Sequence, residues 1–188
     1  MKIVLFLTFL FINAAHGAEL TKIDDYQKGK LPALPLQLSG RCVGEKCGGY
    51  HDGWHATGHA KVYKKRDLKS DLAFSFKNTE SFSVTNQMIE VHKYGRTKVL
   101  NSAVCPPYKS GDLIYKIVDE SEGWNLYWYK NTFRSCNFAE IPETSPKVSE
   151  VAEKVFSEPH YIEWVKVKSK KGLVGWSPDS DDLDNGAY

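Results

Sequence analysis

Beyond its first dozen residues the chain has no long hydrophobic run. That absence excludes a later membrane-spanning helix, which needs about 20 consecutive apolar residues. A charge imbalance is also missing: lysine and arginine total 25 against 23 aspartates and glutamates. Nothing therefore resembles the basic stripe on which nucleic-acid binding depends. No internal repeat of solenoid type and no long low-complexity tract is present. The glutamate of an HExxH metalloprotease pattern is absent, and so is the ligand spacing of an EF-hand. These gaps leave a globular domain without a metal or cofactor requirement.

What is present begins with MKIVLFLTFLFINAAHG, in which Lys2 precedes an apolar run from Ile3 to Ile12 and then small residues. This reads as a signal peptide, residues 1–17, with Ala15 and Gly17 suited to the −3 and −1 positions and cleavage before Ala18. Alanine rather than cysteine after the cleavage point argues against a bacterial lipid anchor. The expected product is exported, periplasmic or secreted, without an integral membrane segment, and about 170 residues long, enough for one core. Export permits disulfides, and four cysteines admit three pairings. The preferred pairing joins Cys42 to Cys47 as a small loop and Cys105 to Cys136 as a longer one. Closing the longer loop would stabilise the fold by roughly 3 kcal/mol.

Residues 18–53 read as an N-terminal extension containing the extended LPALPLQLSG and the cysteine loop RCVGEKCGG. A series of short β patterns follows. WHATGHAKVY, as one strand, puts Trp54, Ala56, Gly58, Ala60 and Val62 on one face and His55, Thr57, His59, Lys61 and Tyr63 on the other. LAFSF, SFSVTNQMIEVHK, TKVLNSAV, DLIYKIV and GWNLYWYK are further strands, and IEWVKVK with LVGW forms a hairpin around SKKG. In WNLYWYK the alternation assigns Trp124, Leu126 and Trp128 to the core and Tyr127 and Tyr129 to solvent. SPKVSEVAEKVF predicts a short helix near 145–157, with Ser145 as N-cap and Pro146 at the first helical position. Residues 177–188 read as an acidic, loosely held tail. The fold class is mainly β, a small barrel spanning 54–176 with one helical insertion.

Three segments carry a resemblance: AKVYKKRDLKSDLAFSFK, YKSGDLIYKIVDESEGWNLYWYK and EWVKVKSKKGLVGW. In this order they resemble the bacterial SH3-like domains (Src homology three) of exported envelope proteins. The resemblance implies a half-open barrel that serves as a non-enzymatic binding or targeting module, often for cell-wall material. Its implied partners are a cell-wall glycan or peptide, or an envelope protein. The chain differs from shorter members by its cysteine-bearing extension and by roughly thirty residues between GWNLYWYK and EWVKVK.

His51, His55 and His59 could share a helix face, but Gly53 and Gly58 each cost a helix about 1 kcal/mol relative to alanine. In a strand, residues four apart are separated by about 13 Å, too far to share one ion. A Cys/His nucleophile would need a separate catalytic domain, for which the chain has no room. Asp179, Asp181, Asp182 and Asp184 read as a solvated tail rather than a calcium site. The aromatics remain: Tyr127 and Tyr129, with Trp124 and Trp164 as further candidates, suit stacking on sugar rings or peptide side chains. The expected function is an exported binding module without enzymatic activity. The alternative is a secreted interaction factor, an enzyme inhibitor or a host-directed protein, on the same scaffold. Replacing His51, His55 and His59 together by Gln should leave the melting temperature within a degree or two of the parent, about the scatter of neutral surface changes. Unfolding accompanied by loss of stoichiometric zinc would refute the strand reading.

Overall fold

The computed structural model describes residues 31–40, 52–103, 105, 107–138, 152–178 and 182–184. Among these residues the regular structure is entirely β. In chain order the strands are β1 (Leu36–Ser39), β2 (Asp52–Ala56), β3 (Lys61–Tyr63), β4 (Leu72–Ser75), β5 (Ser81–Lys93), β6 (Arg96–Val99) and β7 (Leu113–Asp119). They continue as β8 (Trp124–Tyr129), β9 (Thr132–Asn137), β10 (Glu153–Ser157), β11 (His160–Ser169), β12 (Val174–Pro178) and β13 (Leu183–Asp184). One sheet curls into a half-barrel and runs β13-β2-β5-β11-β12-β3-β4, with β1 also paired to β5. The other is a five-stranded sheet ordered β10-β6-β7-β8-β9. No helix of the described residues is long and apolar enough to cross a membrane.

The long antiparallel pair β5–β11 organises the half-barrel, and the whole second sheet is inserted between its two strands in sequence. A bulge separates the Lys166–Asn86 pair from the Val167–Val84 pair, leaving Thr85 unmatched, and the Thr85 hydroxyl donates to the Lys166 carbonyl at 3.1 Å. The extra residue shifts the alternation of β5. Phe82 and Val84 face inward before it, Gln87, Ile89 and Val91 after it, and all five are buried. The inner face of this sheet joins Phe82, Val84, Val165 and Val167 to Trp54, Ala56, Ala60, Val62 and Phe76 in one apolar cluster. A second cluster, under the five-stranded sheet, holds Val99, Tyr108, Ile114, Tyr127, Tyr129, Cys136, Phe138 and Ala152.

Several expectations are corrected here. WHATGHAKVY is two strands, β2 and β3, interrupted at 57–60 and placed far apart in the sheet order. Trp54, Ala56, Ala60 and Val62 are nevertheless all buried, because both pieces turn the same parity toward the core. Residues 153–157, assigned to the end of a helix, form strand β10, with Glu153, Lys154 and Val155 opposite Val99, Lys98 and Thr97. Pairing with an otherwise open edge supplies backbone hydrogen bonds that outweigh a weak helical spacing. Residues 145–151 lie outside the described residues. Within the N-terminal segment, β1 pairs with β5, matching Leu38 to Ile89. The acidic tail contributes β13, whose Leu183 is opposite Ala56 and is buried in the first cluster.

Of the two expected disulfides, Cys105–Cys136 is formed, closing a separation of 31 residues, with Cys136 buried in the second cluster. Cys42 and Cys47 lie outside the described residues.

Gly175 marks a close approach of β12 to β3. A Cβ there would lie 2.5 Å from Val62 Cγ1 and 2.8 Å from the Tyr63 carbonyl oxygen. The backbone of β3 cannot retreat without disturbing Val62. Gly175→Ala should therefore destabilise the protein by about 1–3 kcal/mol in urea unfolding, the usual effect of overpacking. A loss below about 0.5 kcal/mol would show that β3 yields freely.

Candidate functional site

The alternation of β8 is opposite to the one the tryptophans suggest. Tyr127 is 0% and Tyr129 4% exposed, whereas Trp124 is 40% exposed. The hairpin explains this. Lys130 and Asn131 have φ of 47° and 64°, a two-residue loop in which both central residues are left-handed. It pairs Tyr129 with Thr132 and therefore Asn125 with Cys136. The disulfide draws Cys136 into the core, and Tyr127 and Tyr129 follow on the same face. There Tyr108 stands edge-on to Tyr129 at 5.0 Å, and Phe138 edge-on to Tyr127 at 5.5 Å. Leu126, opposite in parity, is also buried, so the strand is covered on both faces at its centre. The two tyrosines offer no stacking surface, and that part of the sequence reading is corrected. Both the YKNT turn and Cys136 were legible signals for the true parity.

The tyrosine hydroxyls are held as well. Tyr127 donates to Glu153 at 3.1 Å and Tyr129 to Asp112 at 2.6 Å. Burial, then the adjacent Glu153, drives the Tyr127 pKa far above the phenolic range. Nearby, the Lys116 ammonium lies 2.5 Å from Asp119 and 3.1 Å from Glu158. Tyr161, its pKa raised to about 12 chiefly by burial, donates to Asp119 at 3.3 Å. This network ties β7 to β8, β10 and β11. It is structural in geometry: each polar end has a partner within the protein.

A concave site lies instead on the outer face of the β5–β11 pair. Beyond the bulge, this face carries Glu90 and His92 from β5, and Ile162 and Trp164 from β11. Together with Arg66, Asp67, Leu68 and Lys69 of the β3–β4 loop they line a groove of about 420 Å³. That is the size range of small-ligand and peptide sites. The loop is shaped by its own polar groups. The Lys69 amide donates to Asp67 Oδ1 at 2.8 Å, the Ser70 amide to the Asp67 carbonyl at 2.9 Å, and Lys64 pairs with Asp71 at 3.3 Å. Arg66 pins it to the sheet, donating to Met88 Sδ and, at 3.2 Å, to Gln37, with its guanidinium 5.3 Å from the Trp176 ring centroid.

The chemistry of the groove is mixed. Leu68 is 52% exposed at one wall. His92 Nε2 stands 3.5 Å from Glu90 Oε1, and the His92 and His160 rings are 5.6 Å apart. Trp164 is only 1% exposed, with Tyr63 edge-on at 6.3 Å, and its buried indole N–H has no acceptor among the described residues. Of the four aromatic candidates, Tyr127 and Tyr129 share a core, Trp124 stands outside it, and Trp164 alone lines the groove. Sequence reasoning missed Leu68, Glu90, His92 and Ile162, because the parity shift in β5 and the course of the loop are tertiary facts.

His55 is half-buried on β2 with Nε2 3.5 Å from Asp184, His59 is exposed, and His51 lies outside the described residues. Among the described residues no group of His, Cys, Asp or Glu is arranged to hold a metal ion. In the tail, Asp182 sits against Gly58, whose Cβ would meet the Asp182 carboxylate, while Asp179 and Asp181 lie outside the described residues. No family model, no curated protein and no solved structure matches the chain.

The Tyr127–Glu153 pair yields a pH signature. Burial raises the Glu153 pKa above its ordinary 4.5. A carboxyl with a raised folded pKa contributes stability that is present below the unfolded pKa and is lost as pH rises through the folded value. Glu153→Gln keeps an acceptor for Tyr127 without the charge. The variant should therefore melt higher than the parent at pH 7, an advantage that shrinks as pH falls through the raised folded value and is nearly gone below 4.5. Parallel melting curves at both pH values would show that Glu153 is not held out of water.

Proposed function

We propose that this chain is an exported, non-enzymatic binding module of the bacterial SH3-like type, and that it engages a cell-wall peptide in the groove beneath the β3–β4 loop. One observation carries the reading. The groove offers, within a single concavity, an apolar wall at Leu68 and Ile162, cations at Arg66 and Lys69, and a carboxylate at Glu90. A short peptide bearing an apolar side chain, a carboxylate and an amine satisfies all of them. The curled sheet, the Gly-Trp ending of the β11–β12 hairpin and the loop between β3 and β4 are consistent with the resemblance in the sequence. The buried indole N–H of Trp164 adds a donor that a ligand carbonyl or an ordered water would satisfy.

A second reading, a secreted interaction factor, is favoured by a different surface. Trp124 and Phe133 are 40% and 38% exposed on the outer side of β8 and β9, with Trp128 and Phe133 edge-on at 4.7 Å. Exposed aromatics at a sheet edge suit a protein partner.

Co-sedimentation with purified peptidoglycan separates the two. Wild type should pellet with the wall, and Leu68→Ser and Lys69→Gln should each weaken binding about threefold to tenfold without moving the melting temperature. Phe133→Ser should leave wall binding unchanged. Wild type remaining in the supernatant would end the wall-binding reading and favour a protein partner. Equal binding by both groove variants would remove the site.

A further inference from the structure

We propose that the tip of the β11–β12 hairpin seats this protein on an anionic lipid surface. The tip lies toward the opposite end of β11 from the groove, and Arg66 borders both surfaces. The hairpin turns at 169–173, where the Gly172 amide donates to the Ser169 carbonyl and the Ser169 amide to Leu173, each at 2.9 Å. Gly172, at φ +80°, permits the turn. This tight reversal holds Leu173 and Val174 outward, 49% and 47% exposed. Lys170 and Lys171 are exposed beside them, and Lys168 is the direct cross-strand partner of Val174.

The apolar surface continues inward from the tip. Val174 shares the outer face of β12 with Trp176, which pairs with Tyr63 of β3, which in turn pairs with Leu72 of β4, itself 51% exposed. Cations border this stripe. The Lys166 ammonium lies 5.8 Å from the Trp176 ring centroid on one side and the Arg66 guanidinium 5.3 Å from it. Lys61 is exposed two residues before Tyr63. The acidic strand β13, with Asp184, lies at the other end of the sheet order. The chain as a whole is almost neutral, so this end of the sheet is basic by segregation rather than by composition.

Exposed aliphatic side chains inside a ring of lysines match a bilayer interface, where apolar tips enter the headgroup region while ammonium groups meet lipid phosphates. A soluble phosphate polymer would use the lysines but gain nothing from Leu173, Val174 and Leu72. A zwitterionic bilayer would use the aliphatic tips but not the lysines. The combination selects an anionic membrane.

The test is flotation with vesicles of phosphatidylcholine alone and of phosphatidylcholine mixed with phosphatidylglycerol. The chain from Ala18 onward keeps all the described strands of the compact unit 33–188 and removes the apolar run at 3–12, which would itself enter lipid. Wild type should float with the anionic vesicles only and be released by high salt. Lys170→Gln with Lys171→Gln should weaken binding on the order of twentyfold, about fivefold per charge. Leu173→Ser with Val174→Ser should weaken it on the order of tenfold. All four positions are exposed, so unchanged melting temperatures are expected and would confirm folded variants. Equal flotation with both vesicle types would overturn the anionic requirement. Flotation of the Leu173→Ser/Val174→Ser variant as strong as wild type would overturn lipid insertion. Binding of wild type to inorganic polyphosphate but to neither vesicle would assign the surface to a soluble polyanion and overturn the proposal.

Discussion

The pairing of β5 with β11 is the constraint on which the rest of the structure rests. It runs from Phe82–Ser169 at one end to Lys93–His160 at the other, and it joins residues separated by the whole second sheet. Such non-local pairing is entropically slow to form but, once made, positions both of its ends. At the far end the chain leaves β5 through Gly95 for β6 and returns through Pro159 into β11. The two connections touch there: a Cβ on Gly95 would stand 2.8 Å from the Ser157 carbonyl. The Gly95 amide and carbonyl are also hydrogen-bonded to the Lys116 carbonyl and amide, at 2.8 and 3.1 Å. The linker between β5 and β6 is thus itself held by backbone hydrogen bonds to β7 of the inserted sheet.

The Lys116 network reinforces that junction. A lysine whose side chain is 10% exposed is tolerable only because Asp119 and Glu158 both meet its ammonium. Desolvation works against the charge, and the two carboxylates more than restore it, leaving the pKa raised. Removing one partner of such a pair leaves an incompletely compensated buried charge, so the cluster favours one relative arrangement of the strands it joins. A scaffold held in this way can expose different chemistries on separate surfaces. The outer face of β5–β11 carries a groove with charges of both signs, and the β11–β12 hairpin carries aliphatic tips with lysines.

Much of the strand pattern was legible in the sequence. SFSVTNQMIEVHK corresponds to β5 from end to end, and the SKKG turn lies where the β11–β12 hairpin reverses. Trp54, Ala56, Ala60 and Val62 were read as sharing one face, and all four are buried in the core even though the strand is broken between them. The Cys105–Cys136 bridge was among the open pairings and is formed. The groove was less legible. It depends on one unmatched residue, Thr85, which exchanges the faces of β5 and puts Glu90 and His92 rather than Ile89 and Val91 toward the outer side. Alternation over a window sees a strand but not the partner that inserts a bulge into it.

The sequence by itself determined that the described chain is mainly β, where β4, β5, β7, β8 and the β11–β12 hairpin lie, and that Cys105 could meet Cys136. These follow from local properties: period-two alternation, turn residues and the chemistry of thiols. Only the tertiary structure decided which face of β8 is inner, and that residues 153–157 complete a sheet edge instead of a helix. It also decided that Trp164 is buried on the outer side of its strand. The physical reason is common to all three. Each depends on free energy gained from a partner distant in sequence: the disulfide-anchored aromatic cluster for Tyr127, the unpaired edge of β6 for Val155, and the β3–β4 loop for Trp164.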